Sequence, residues 1–221
     1  MGLNFSKTGV DDAQQAILVN AAGQPVKKLR AELTWTQPQA ANRGGGWIGK
    51  KLQQARDAKN ATDVDANVVI FVAKEDVEFA GPDNLRALKG LVEHKGNVAR
   101  GNDDAPEIID LDLASVAERE SDITAFAFTA SCFLGDFSKV TGARVEFYDE
   151  TNGTHEPLNT IRFSITADEG RQPNQYGPNN AALVAVVVKT PDGWALRKDV
   201  KTYGQARDWK GLAPICRRHV V

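Results

Sequence analysis

The chain reads as an all-β protein, an antiparallel β-sandwich of two sheets with one or two short helices in its loops. Three observations predict this. Runs of strand length alternate apolar with polar residues, or are apolar and β-branched throughout. Two reversals, Asn152-Gly153 and Asp192-Gly193, each separate a pair of such runs in the manner of a tight hairpin. Helical periodicity is too scarce for an alternating strand and helix order, so a parallel βαβ sheet is excluded. With 221 residues, 42% hydrophobic and 25% charged, the chain suffices for one well-cored domain over 1–221.

Taken in order, AILVN (16–20) and VKKLRAELTW (26–35) flank AAGQP and predict a hairpin or strand pair. In the second run Leu29, Ala31, Leu33 and Trp35 share one parity, the mark of a half-buried strand. The polar, glycine-rich stretch 37–62 follows and predicts a loop carrying a short helix, with Ile48, Leu52 and Ala55 on one face and Lys50, Lys51, Arg56 and Lys59 on the other. ANVVIFVAK (66–74) reads as a buried strand, and the next segment as a short extended piece with a helical turn at 83–89. EIIDLDL (107–113) alternates Ile109, Leu111 and Leu113 against Asp110 and Asp112, and ITAFAFTASCFL (123–134) puts Phe126 and Phe128 on one face. ARVEFYD pairs with PLNTIRFSI, and AALVAVVVK with WALRKDVK, across the two reversals.

Composition excludes several classes of function. A formal net charge of −2 and a pI near 6.0 give no electrostatic basis for binding nucleic acid. No apolar run approaches the roughly 18 residues of a membrane span, and the opening MGLNFSKTGVDD lacks the apolar core of a secretory signal, which predicts a cytoplasmic protein. Cys132 and Cys216 are too few for a disulfide scaffold and read as reduced thiols.

Motifs that imitate catalytic chemistry fail on inspection. Gly44-Gly45-Gly46-Trp47-Ile48-Gly49-Lys50 has phosphate-loop spacing, yet Lys51 stands where magnesium needs a hydroxyl, and no buried strand precedes it. Asp63, Asp65 and Asn67 fit the opening of an EF-hand loop, but Val68 replaces its turn glycine and Lys74 its closing glutamate. Ser131 and Cys132 continue a strand without elbow glycines, and His94, His155 and His219 lack metal-ligand spacing. The expectation is therefore a non-enzymatic protein with no cofactor beyond a metal ion.

The acidic segments point to that metal. Asp103, Asp104 and Glu107 lie close together beside Gly96 and Gly101, which let carbonyls turn inward, and Asp63 and Asp65 precede another apolar run. Two strand ends bringing such carboxylates together make a hard, oxygen-rich site of the kind calcium takes.

The order D-V-D-A-N before VVIFVA, then G-L-V-E-H-K-G-N, then G-N-D-D-A-P-E running into I-I-D-L-D-L, resembles the TerD family. DFSKVTGARVEFYDETNG, PLNTIRFSI, AALVAVVVK and GWALRKDV continue the resemblance, which covers roughly 26–204 together with the LNFSK opening. It implies a β-sandwich that binds calcium, belongs to tellurium resistance and stress response in bacteria, occurs also in phage genomes, and has no assigned enzymatic activity. Carried over by position, Asp63 and Asp65 match the family's D-L-D, and the segment with Asp103, Asp104 and Glu107 its acidic calcium loop. Ala61 and Gly96-Asn97 stand where members carry two further Asp residues, so the resemblance implies a depleted site. It also sets apart an insertion at 37–62 and a C-terminal extension at 205–221.

Together these readings predict a non-catalytic calcium-binding or protein-interaction module of a tellurite or stress-resistance system. A phage virion or assembly accessory protein reusing the sandwich is the alternative, and would be virion-associated. Protein partners or self-association are expected through the insertion and the extension, where Trp47 accompanies Lys50, Lys51 and Arg56, and Trp209 accompanies Arg207, Lys210, Arg217 and Arg218.

Overall fold

Alternation in the sequence becomes two facing sheets in the computed structural model, which describes residues 6–7, 14–36, 63–98, 105–132, 137, 140–163, 180–204, 206 and 209–220. The insertion at 37–62, where the sequence predicts a short helix with Trp47 beside it, and the acidic residues Asp103 and Asp104 lie outside the described residues.

Strands β1 (Ser6–Lys7), β2 (Gln14–Ile17), β3 (Lys28–Thr36), β4 (Val64–Val72), β5 (Glu75–Ala80), β6 (Arg86–Ala87) and β7 (Val92–His94) precede the first helix. Then come β8 (Glu107–Asp112), helix α1 (Leu113–Arg119), β9 (Ala125–Cys132), β10 (Thr141–Asp149), β11 (Glu156–Arg162), β12 (Ala181–Thr190), β13 (Gly193–Gly204) and helix α2 (Trp209–Cys216). One sheet has seven strands in the order β1-β2-β13-β12-β9-β4-β5, and the other six in the order β11-β10-β3-β8-β7-β6. Every neighbouring pair is antiparallel, as in a sandwich built without crossover helices.

The core between the sheets holds the residues whose parity predicted it. Leu29, Ala31, Leu33 and Trp35 of β3 face Val64, Val68 and Ile70 of β4 and Phe126 and Phe128 of β9, all buried in one cluster. Phe128 meets Phe147 edge to face at 5.2 Å, the geometry the ring quadrupoles favour. Strand β9 is buried on both faces, because Ala125 and Ala127 belong to a second apolar layer outside the seven-stranded sheet.

Three expectations are corrected. AILVN and VKKLRAELTW do not pair: β2 lies beside β13, β3 lies between β10 and β8, and only the bridge Val19↔Pro25 closes the turn between them. The AAGQP segment therefore carries the chain from one sheet to the other. The 83–89 helical turn is displaced, with a short 3-10 turn at Leu88–Gly90 after β6. In the reversals Gly153 (φ +68) and Gly193 (φ +117) take the left-handed region; Asn152 and Asp192 do not. These turns need one glycine each, not the paired positive φ of a type I′ turn.

The C-terminal extension is part of the fold. Leu212, Ala213 and Cys216 of α2, with Val220 beyond it, are buried against Val69, Phe71, Ala127, Val186 and Val188 on the outer face of the seven-stranded sheet. Arg217 Nη2 meets Asp76 Oδ1 at 2.6 Å, and Arg197 donates to the carbonyl of His219 at 3.0 Å, fixing the layer at its rim. Of the basic residues expected to form a contact surface here, Lys210, Arg217 and Arg218 are exposed, while Arg207 and the Trp209 side chain lie outside the described residues.

Candidate functional site

Strands β3, β4 and β8 place the acidic residues at one end of the sandwich, where the two sheets meet. Leu33 of β3 stands opposite Glu107 of β8, and Val64, the first residue of β4, stands opposite Cys132, the last of β9. Strand β5 stops short of this end, its last pair with β4 being Val68↔Ala80. The amide of Ala66 thus has no strand partner on that side.

Glu107, fully buried, fills the gap. Its Oε2 accepts the Ala66 N–H at 2.6 Å, and its Oε1 accepts the Val98 N–H at 3.1 Å from the loop after β7. One carboxylate therefore joins the six-stranded sheet, the edge of the seven-stranded sheet and the 95–98 loop. Behind it His94, 1% exposed, accepts the Gly96 N–H at Nδ1 (3.1 Å), which leaves the proton of the neutral ring on Nε2. That nitrogen faces Glu107 Oε2 at 3.5 Å and makes no hydrogen bond. Gly96 takes φ +112, the conformation that turns its amide back to the imidazole.

Asp63 and Asp65 sit beside this assembly at the start of β4. Asn97, held between the anchored amides of Gly96 and Val98, donates its Nδ2 to Asp65 Oδ1 at 3.2 Å. Burial pushes the Asp65 carboxyl up to about 7, and Glu107, Asp63 and Asp83 add to the rise. Burial also raises Asp63, Glu107 adds to the rise, and the Asn97 amide opposes it. Asp63 Oδ1 is buried without a hydrogen-bond partner. The charged groups acting on Asp65 are all acidic, a condition that a bound cation relieves.

Next to Asp65 on β4, the Asn67 amide donates to Ser131 Oγ at 3.0 Å and to the Asp65 carbonyl at 3.2 Å. A Cβ on Gly81 would lie 2.4 Å from Asn67 Oδ1, so the turn after β5 approaches this amide at a distance only glycine permits.

Of the residues predicted as metal ligands, Asp63, Asp65 and Glu107 are brought together, and Asp103 and Asp104 lie outside the described residues. Among the described residues, no group of three or more His, Cys, Asp and Glu side chains is arranged to hold a metal ion. The donors that are present suit a hard cation chemically, being carboxylates with an amide beside them. Glu107 differs from the expected ligand, since each of its oxygens already accepts a backbone N–H. Sequence reasoning set His94 aside for want of ligand spacing and did not single out Asp83. His94 lies on β7, which pairs with β8, so its closeness to Glu107 follows from that pairing and not from any ligand spacing.

No family model matches the chain, and no curated protein matches it. Among solved structures it is similar to the crystal structure of SAV2460, a protein of unknown function, with a TM-score of 0.52 at 14% identity. The match covers 83% of this chain and 91% of that one. At this identity the likeness extends to the fold alone. Among the described residues no helix is long and apolar enough to cross a membrane.

Proposed function

We propose that the protein is a non-catalytic, TerD-like binding module whose strand-end carboxylates take a divalent cation, calcium suiting them best, and which acts through contact with other proteins in a tellurite or stress-resistance system. The observation that carries this reading is the state of Asp65 and Asp63, two half-buried carboxylates raised by burial and by acidic neighbours. Such a cluster has little role in stability, because each ionised member repels the next. Asp63 and Asp65 would hold the cation. Glu107 would fix the strand edge and the loop that frame it, and Asn97 would lie alongside.

Calcium is favoured over magnesium because irregular, partly protein-derived oxygen sets accommodate its larger, flexible shell. Adding calcium to chelator-treated protein should raise the thermal midpoint with the logarithm of its concentration above the dissociation constant, and magnesium should do so less. A flat thermal and calorimetric response at millimolar calcium would sink the cation reading. That outcome would favour the alternative, an assembly or phage accessory protein that keeps the sandwich for packing alone; the occupation of both Glu107 oxygens by backbone amides supports this second reading.

A further inference from the structure

Strand β7 ends on a buried histidine, His94, to which the cation reading gives no role. The backbone around it is fixed on both sides. The His94 N–H donates to the Leu85 carbonyl at 2.8 Å, and the Lys95 N–H donates to the Ile108 carbonyl at 2.9 Å. Beyond Lys95 the loop takes its anchors from side chains: Gly96 donates its N–H to His94 Nδ1 and Val98 donates its own to Glu107 Oε1, each at 3.1 Å. Asn97 stands between these two anchored amides and reaches Asp65 Oδ1 at 3.2 Å.

Two features show what the imidazole does there. Gly96 takes φ +112, yet a Cβ added to it would meet no heavy atom within 4 Å, so the backbone conformation and not crowding calls for glycine. That conformation is the one that returns the Gly96 amide to Nδ1. On the other side of the ring, Nε2 is buried without a hydrogen bond, 3.5 Å from Glu107 Oε2. An unpaired buried N–H costs free energy that an aliphatic side chain on the same face avoids, so packing alone does not account for a histidine at this position.

We propose that His94 is a positioning residue for the strand-end carboxylates: its Nδ1 sets the turn at Gly96 and thereby holds the Asn97 amide against Asp65. The positioning stands without metal; its consequence for binding rests on the cation reading proposed above. An amide carries donor and acceptor on one planar group, so a half-turn of the Asn97 side chain exchanges Nδ2 for Oδ1 and offers a cation an oxygen. A loop released from His94 no longer holds that oxygen in place. Residues that orient a ligand without touching the metal typically change its affinity by about 10–100-fold.

Variants of the full chain test this by two readouts, the Asn97 side-chain amide resonance in chelator and calorimetric titration with calcium chloride. In the wild type the Asn97 amide protons should be shifted from the free-amide position and protected from exchange. His94→Leu removes the acceptor and keeps the core face apolar; it should return the Asn97 amide to the free position and weaken calcium binding about tenfold. His94→Asn, whose amide overlays the Cγ–Nδ1 edge of the imidazole, should restore both readouts to near wild type. Gly96→Ala leaves the core untouched and should reproduce the His94→Leu result. An unchanged Asn97 resonance in His94→Leu and Gly96→Ala would overturn the proposal, as would equal losses in His94→Leu and His94→Asn. A wild type that takes no calcium refutes the cation reading alone, and the Asn97 resonance then decides the positioning. Should His94→Leu fail to fold, Gly96→Ala and His94→Asn carry the same decision.

Discussion

Replacing Asp65 with Asn tests the central electrostatic claim, because Asn has nearly the shape of the carboxyl group and cannot take on the carboxylate's charge. A carboxyl moved from its ordinary 3.8 to about 7 holds its proton in the folded state after the unfolded chain has released it. Below about pH 3.8 both states are protonated and Asp65 contributes nothing. Between there and pH 7 the folded state binds more protons, so stability falls as pH rises, and above pH 7 the whole penalty is present. The ceiling on that penalty is about 4 kcal/mol, and partial access to water reduces it to roughly 2 kcal/mol.

Asp65→Asn should therefore leave stability unchanged near pH 4 and, in chelator, raise it by roughly 2 kcal/mol near pH 8. For a chain of this size that is a rise of about 4–8 °C in the thermal midpoint. Saturating calcium should invert the order at pH 8, because the wild type gains a bound ion and the variant does not. Urea and thermal unfolding at both pH values, with and without calcium, measure all four cells. A gain independent of pH, or a loss of stability at pH 8 in chelator, would refute the claim that acidic repulsion and burial dominate at Asp65.

Two further substitutions probe the frame around it. Glu107→Gln should cost about 2–3 kcal/mol in urea unfolding, because an amide can accept from only one of the Ala66 and Val98 N–H groups and sets its own donor against the other; a cost under about 0.5 kcal/mol would show the staple to be dispensable. Truncation after Gly204 should cost roughly 4–6 kcal/mol and promote aggregation, by exposing Phe71, Val186 and Val188 where Leu212, Cys216 and Val220 now lie; a monomeric truncated chain with unaltered unfolding would show the C-terminal layer to be inessential.

Much of the fold was legible because period and burial coincide. In β3 the parity of Leu29, Ala31, Leu33 and Trp35 is apolar and the other polar or charged, so a register slip would expose that core set; in β8 Ile109 and Leu111 mark the buried face, which Glu107 shares. The interior strands β9 and β12 were recognised from continuous apolar runs, but nothing in such a run says whether its second face meets another sheet or a helix. It meets α2, whose buried positions Leu212, Ala213 and Cys216 have helical spacing in a tail set apart as an extension. Helix α1 was missed because LDLA continues the alternation of β8. The stop signal was Asp112, whose side chain accepts the Ser115 N–H at 2.9 Å as an N-cap. At the candidate site, the motif D-V-D and the glutamate of D-D-A-P-E were legible as carboxylates. Their division into charged strand-end groups and a structural staple depends on where β5 stops, a property of sheet register that no local window contains.

That register also gives the molecule two unlike ends. The pairs Thr36↔Thr141, Leu33↔Glu107, Val64↔Cys132, Arg144↔Arg162 and Ala181↔Gly204 bring eight strand termini to the end that holds Asp63, Asp65 and Glu107. The segments 37–62, 95–106, 133–140, 163–180 and 205–208 all leave from it, whereas the other end is closed by the turns at 73–74, 151–153 and 191–192 and by α1. Long connections concentrated at one end of a rigid sandwich are where binding proteins diversify, because residues there change without disturbing the core. In this chain the buried Glu107 and His94 fix the floor of that end, and the repelling Asp63 and Asp65 lie at its edge. A cation taken by those carboxylates would act where the insertion and the acidic segment join the frame, and so couple metal to contact without any movement of the sheets.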